Sequence, residues 1–246
     1  MHPVKSDGPI IKLFKTIFLL SVILLGACDD KEARFEAAKT QALKNPDPWQ
    51  AYAQIGGDAV IMFRCEPNES FCLKNILHKY HDLALTLYTS ALKQHSPAAF
   101  VDLFTRPDPP VELKGRMPEL AAELVKMAGS SRGDHASKDI LRVAAGLLEE
   151  GKWVEKDSVR AAAFYARAWN AGDSYAPASL SQLYSAQHDD ASALLWQFRC
   201  TGICYSRLAH DDVPASLSTR KILRIESLAR DHSILTVNGQ ADWEAK

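Results

Sequence analysis

Cysteine has the most chemistry to offer in this chain, and its five copies fall in three places. Cys28 stands alone at the end of an apolar run, in "ILLGACDD". Cys65 and Cys72 bracket "CEPNESFC", and Cys200 and Cys204 bracket "CTGIC". A thiol can be acylated, pair with a second thiol or bind a metal, and spacing separates these fates. Neither pair has the two-residue spacing of a zinc ligand pair and no histidine sits in register with them, so no metal is expected. Beyond Cys28 the count is even, which in an oxidising compartment suits disulfides, and four cysteines allow three pairings. The local pairing, Cys65–Cys72 with Cys200–Cys204, is preferred. Pro67 and Asn68 turn the first loop back on itself. Gly202 breaks the helix that would otherwise hold the second pair near the outer limit of disulfide geometry.

The remaining reactive side chains read as polar structure. His78 and His81 lie three apart and could share a metal on one helix face, but the sequence offers no obvious third ligand beside them and a solvated or stacking role is expected. His188-Asp189-Asp190 falls in a turn, where one of the aspartates suits a helix N-cap. His210-Asp211-Asp212 is a similar turn before Pro214, and Glu149-Glu150 is a wet helix end. No nucleophile elbow, phosphate loop or dinucleotide fingerprint occurs, so neither catalytic residues nor a cofactor are expected. Trp153, just after Gly151, is the aromatic that could serve either core or binding surface.

The elements that position these residues begin with a leader. Lys5, Lys12 and Lys15 precede an apolar run, broken only by Thr16 and Ser21, that ends at Ala27. A spanning helix needs about 20 apolar residues, and this run is about a dozen long. A basic start, a short apolar stretch and small residues before a cut describe a secretory signal. Leu25-Gly26-Ala27-Cys28 resembles the lipobox of bacterial lipoproteins. That resemblance implies diacylglycerol on the Cys28 thiol, cleavage just before it, and a mature chain tethered to a membrane. In enterobacterial-type lipoproteins an aspartate after the cysteine retains the protein at the inner membrane. Asp29 therefore implies the periplasmic side of that membrane, with the outer membrane as the alternative.

Without residues 1–27 the chain keeps 26 basic against 29 acidic side chains, a net of −3. Nothing in that balance suggests a nucleic-acid partner, which would call for a basic face. Alanine and leucine dominate, β-branched residues are sparse, and twelve glycines and twelve prolines occur in all, the composition of a helical protein. Five segments follow: the signal, 1–27; a lipidated N-terminus and tether helix, 28–45; a helical region with a degenerate repeat, 46–137; a repeat region, 138–204; and a capping helix with tail, 205–246.

Within these, "NPDPW" breaks the chain, and the Gly-Gly of "AQIGGDAVIMFRC" could interrupt a helix. Leu77, Tyr80, Leu83, Ala84, Leu87, Tyr88 and Ala91 make one helical face. A short helix follows, with Ser96 as cap and Pro97 at its first position. "TRPDPPVELKG" reads as loop because its prolines exclude a regular helix, and 105–137 fits no repeat. From 138 to 198 the pattern is helix, turn, helix, turn, helix. Gly151 is a C-cap, Asp157 an N-cap, Gly172 a closing glycine and Pro177 an opening proline. The last long helix should bury Leu217, Ile222, Ile225 and Leu228, and "SILTVNG" follows as an extended tail.

The order Gly146-Leu147, Gly151, Val154, Asp157, Ala161, Phe164-Tyr165, Ala168, Gly172, Ala176, Leu183-Tyr184 resembles a repeat of the SEL-one-like family, relatives of the tetratricopeptide repeats. Ala191, Leu195-Trp196 and Cys200 echo it about 31 residues on. There "AQHDD" replaces the glycine-containing turn, a departure from the family pattern. A weaker copy lies at 80–104. The resemblance implies an all-α solenoid of antiparallel helix pairs, with an adaptor role in membrane or secretion-related complexes. A protein or peptide partner on the concave face is then expected, with Lys138, Arg142, Trp153 and Gln182 as candidate contacts. A cell-wall-related or β-lactamase-like enzyme and an outer-surface ligand binder are the alternatives.

Overall fold

The computed structural model describes residues 31–62, 70–202, 204, 216–238 and 240–241. Among these the chain is all helical, without a strand. It divides into two units, Met1–Ala99 and Phe100–Lys246.

In the first unit, residues 31–44 form α1. Asp47 caps the next helix, accepting from Trp49 N at 2.9 Å and Gln50 N at 3.2 Å. Pro48 occupies the first position, where a missing N–H costs nothing, and α2 runs Pro48–Met62. It passes through Gly56 without a break, so the glycine pair does not interrupt it. α3, Ser70–Lys93, starts earlier than its periodicity predicts. Phe35, Ile55, Ile76, Tyr80 and Leu87 fill the core between the three helices, with Phe35 set edge-on to Tyr80 at 4.9 Å. Ile76, not Leu77, continues the buried stripe. Leu77 stays 39% exposed, because the stripe steps 76, 80, 83, 87 and leaves 77 at its edge. α4, Pro97–Thr105, carries the boundary between the units.

In the second unit the proline-rich stretch is less irregular than its composition suggests. It is loop only as far as Pro110, after which Val111–Arg116 coil as a 3-10 turn that buries Leu113. α5, Met117–Ser130, follows directly. Prolines forbid only the residues around them, and Pro118 itself sits in the first turn of α5. Met117, Leu120, Ala121, Leu124, Val125 and Ala128 form its buried stripe, at steps of three and four within the stretch that had shown no repeat.

Then come α6 (Lys138–Glu150), α7 (Ser158–Asn170), α8 (Ala176–Ala186), α9 (Asp190–Arg199) and α10 (Thr219–Ala229). From α5 to α9 each helix packs on the next, and α10 packs on α9. Glycine ends two of them. Gly151 closes α6 at φ +69°, donating to Leu147 O at 3.0 Å. Gly172, at φ +94°, closes α7 with paired bonds, Gly172 N to Trp169 O and Asp173 N to Ala168 O. α8 closes with the same pair of bonds, His188 N to Ser185 O and Asp189 N to Tyr184 O, but here His188 holds the left-handed turn at φ +60°. Asp157 and Asp189 cap α7 and α9 alike, each accepting from the backbone N–H three residues on, at 2.9 and 3.0 Å.

Ile225, Leu228 and Ala229 of α10 bury against Leu194 and Leu195, whereas Leu217 and Ile222 are only half-buried. The tail completes this core. Val237 donates its N–H to Ser192 Oγ at 3.0 Å, and Trp196 Nε1 donates to Leu235 O at 3.0 Å.

Candidate functional site

The second unit holds an open groove of about 280 Å³. One wall is the end of α4 with the loop that follows it, contributing Phe104, Arg106 and Pro109; the other comes from α6, α7 and α8 and the turn after Gly151. That turn is fixed at both ends, by the Gly151 cap and by Asp157 N donating to Leu148 O at 2.9 Å. Lys152 and Trp153 therefore project from a rigid seven-residue connection, with the Lys152 ammonium 5.1 Å from the Trp153 ring centre.

Arg142, Gly146, Tyr165 and Tyr175 line the groove and belong to a network spanning three helices. Gly146, facing α7, leaves room for the Tyr165 hydroxyl, which a Cβ there would meet at 3.7 Å. Tyr165 donates to Glu149 Oε2 at 2.8 Å. Burial pushes its hydroxyl pKa well above the ordinary value, and the Glu149 carboxylate adds to the shift. Arg142 donates from Nε to Asp173 Oδ2 at 3.0 Å and from Nη2 to Asp139 Oδ1 at 3.4 Å. The other oxygen of Asp173 accepts from Tyr175 N at 2.8 Å and Ala176 N at 2.9 Å, so this carboxylate opens α8 as a cap. Arg142 lies at the groove held by an ion pair, its planar guanidinium fixed in direction.

Of the four contacts expected from sequence, Arg142 and Trp153 line this groove. Lys138, half-buried at the start of α6, and Gln182, exposed on α8, are not among its lining residues. Glu149, Tyr165 and Asp173 had no site signal of their own. Asp173 was not read as a cap, although its place before Tyr175-Ala176-Pro177 carries the kind of local signal that exposed Asp157. Glu150, taken as a wet helix end, is exposed but lines the groove.

Cys200 and Cys204 stand at disulfide distance, their Cα atoms 5.2 Å apart and both buried against Ala178. α9 ends before them at Arg199, and Gly202 adopts φ +59°. Cys28, Cys65 and the His210–Asp212 turn lie outside the described residues. Cys72 falls in α3, but its side chain is outside them too, and with it the Cys65–Cys72 pairing. His78 and His81 are both exposed on α3. Among the described residues no group of His, Cys, Asp and Glu is placed to hold a metal ion, and no helix is long and apolar enough to cross a membrane.

Chemically the groove offers a lysine, a carboxylate and aromatic faces beside the half-buried Arg142–Asp173 ion pair. Such a lining suits recognition of a ligand with both polar and apolar parts. No family model matches the chain, nor does any curated protein or solved structure.

Proposed function

We propose that this chain is a membrane-tethered scaffold on the periplasmic side of the inner membrane, holding a protein or peptide partner in the groove of its second unit. The observation that carries the reading is the convergence of Arg142, Glu150, Lys152 and Trp153 on one open cavity. At about 280 Å³ it lies just under the roughly 300–1,000 Å³ of sites that enclose whole small ligands. It is sized to take side chains from a partner that remains largely outside. Trp153 and Tyr175 present apolar faces, and Glu150 and Lys152 present opposite charges within one turn.

The helix order agrees with a solenoid of the tetratricopeptide kind. Each helix from α5 to α9 packs on its sequence neighbour, and Asp157 and Asp189 repeat the same cap 32 positions apart. The sequence at residues 16–28 supports the tether.

Placing a photocrosslinking residue at position 152 in intact cells tests the reading. The expected result is recurrent capture of one envelope protein, lost with Trp153→Ala while the fold is retained. If the capture pattern is the same with and without Trp153, the groove is not the binding surface.

A further inference from the structure

α10 carries a charge imbalance that the groove does not use. From Thr219 to Arg230 stand Arg220, Lys221, Arg224 and Arg230 against Glu226 alone, in a chain whose formal net charge is −1. Asp231, the next residue, turns its carboxylate onto Ser233, accepting from N at 2.9 Å and Oγ at 2.6 Å. Ile225, Leu228 and Ala229 point into the core with α9 and the tail, which fixes the opposite face outward. On that face Arg220, Leu223, Arg224 and Ser227 follow i, i+3, i+4, i+7 spacing and make one stripe. Leu223 is 62% exposed at its centre. Arg230 lies beside it, in a solvent-exposed pair with Glu226 at 3.6 Å.

We infer that this face of α10 docks on an anionic lipid surface. Arginine suits the role, because its guanidinium grips phosphate oxygens through two parallel N–H bonds and its long stem reaches them. Most protein–protein affinity comes from anchor residues buried in pockets, whereas this flank presents a continuous exposed stripe of arginines around one leucine. A plane of headgroups requires only charge and a side chain such as Leu223 to enter the interface. The leader at residues 16–27, whether cut or retained, is expected to bring the chain to a membrane. The docking face stands independently of the groove and of any acyl chain on Cys28.

The test uses the chain from residue 29 onward, which keeps every described residue. It is sedimented with phosphatidylcholine vesicles containing about one-third phosphatidylglycerol, and with pure phosphatidylcholine vesicles. Binding is expected to the anionic vesicles alone and to weaken as salt is raised. Each arginine contributes about fivefold to partitioning, so Arg220→Gln with Arg224→Gln should lower it about 25-fold. Leu223→Ser should lower it severalfold. All three side chains are exposed, so the helical circular dichroism and thermal unfolding of these variants should match the parent. Failure to sediment with anionic vesicles, or equal sedimentation of the double arginine variant, would overturn the inference. Retention on immobilised polyglutamate without vesicle binding would also overturn it, in favour of an acidic protein partner.

Discussion

Arg142 and Asp173 meet at 3.0 Å, 31 positions apart in sequence, and their contact joins three helices. Arg142 projects from α6. Asp173 ends the closing turn of α7 and caps the first N–H groups of α8. Asp173 is 5% exposed, and its two oxygens accept three bonds. A buried carboxylate survives only when it is so engaged, and here the engagement sets how α8 leaves α7 and how one wall of the groove is held.

Removing the carboxylate should therefore cost more than removing its partner. Asp173→Ala strips two caps and leaves a half-buried guanidinium with only the exposed Asp139 carboxylate, 3.4 Å away, for a loss of about 3 kcal/mol. Arg142→Met leaves Asp173 with its two backbone donors. Since the Arg142 side chain is 30% exposed and partly screened, the loss should be about 1–2 kcal/mol. Chemical denaturation of both variants measures the order, and equal losses would show that the caps contribute nothing.

The helix-ending turns give a second contrast. Gly151→Ala places a Cβ 2.8 Å from Lys156 Cβ and 3.3 Å from Lys156 Cα, at φ +69°, so both strain and backbone crowding oppose it. A loss of about 2 kcal/mol is expected, with the Lys152–Trp153 turn displaced. His188 sits in the same left-handed region with a side chain, at φ +60°. His188→Gly should relieve that strain by more than the added freedom of the unfolded chain costs, for a net gain of up to about 1 kcal/mol. Differential scanning calorimetry should thus move the two melting temperatures in opposite directions.

Tyr165 links stability to alkaline pH. Its hydroxyl pKa is raised by burial and by Glu149, so the folded state keeps a proton that the unfolded state releases near pH 10. The stability tied to this proton is fully present below about pH 10 and falls as the pH rises further. Tyr165→Phe should remove that part of the alkaline decline, while costing about 1–2 kcal/mol at neutral pH for the lost bond to a charged acceptor. Denaturation midpoints at neutral pH and at about pH 11 for the two proteins decide the matter. Parallel declines would exclude Tyr165 as the source.

Legibility from sequence followed the range of the interactions. Gly151, Asp157, Gly172 and Pro177 were readable because caps act over three or four residues and leave their signature in place. The face of α3 was readable to within one residue, since a helical stripe has a soft edge and Leu77 falls on it. α5 was hidden because the prolines before it drew the reading toward loop, although its own stripe is regular. The groove was half legible: Arg142 and Trp153 belong to the strongest pattern in the chain. Its opposite wall, Phe104 to Pro109, is brought there by chain folding that no local period encodes. Asp173 was missed for a related reason, since its burial depends on an arginine one helix pair away.

Gly56 shows the same limit and yields a prediction. A glycine pair reads as a helix break, yet α2 continues, held by Ala51 and Ile55 in the core. A Cβ on Gly56 would meet nothing within 4 Å, and its φ is not in the left-handed region. Gly56→Ala should gain about 0.5–1 kcal/mol by raising helix propensity and restricting the unfolded chain. For a chain of this size that is a rise of roughly 1–4 °C in Tm. A fall in Tm would mean that the position is crowded in solution.

The tether is tested by chemistry at a single atom. If Cys28 carries diacylglycerol, Cys28→Ala leaves no thiol to acylate, so radiolabelled palmitate should enter the parent chain and not the variant. The variant should also keep its leader and migrate as the longer polypeptide, because processing follows acylation in the lipoproteins this segment resembles. Asp29 makes a separate claim about destination. Asp29→Ser should move the protein from inner- to outer-membrane fractions without altering labelling, since it changes sorting and not the acylated atom. Labelling of Cys28→Ala would assign the lipid elsewhere. An unchanged distribution of Asp29→Ser would detach the sorting claim from the tether. Two acyl chains hold a protein durably where one does not; hence alkaline carbonate should leave the parent chain in the membrane pellet and release Cys28→Ala if its leader is removed by another route.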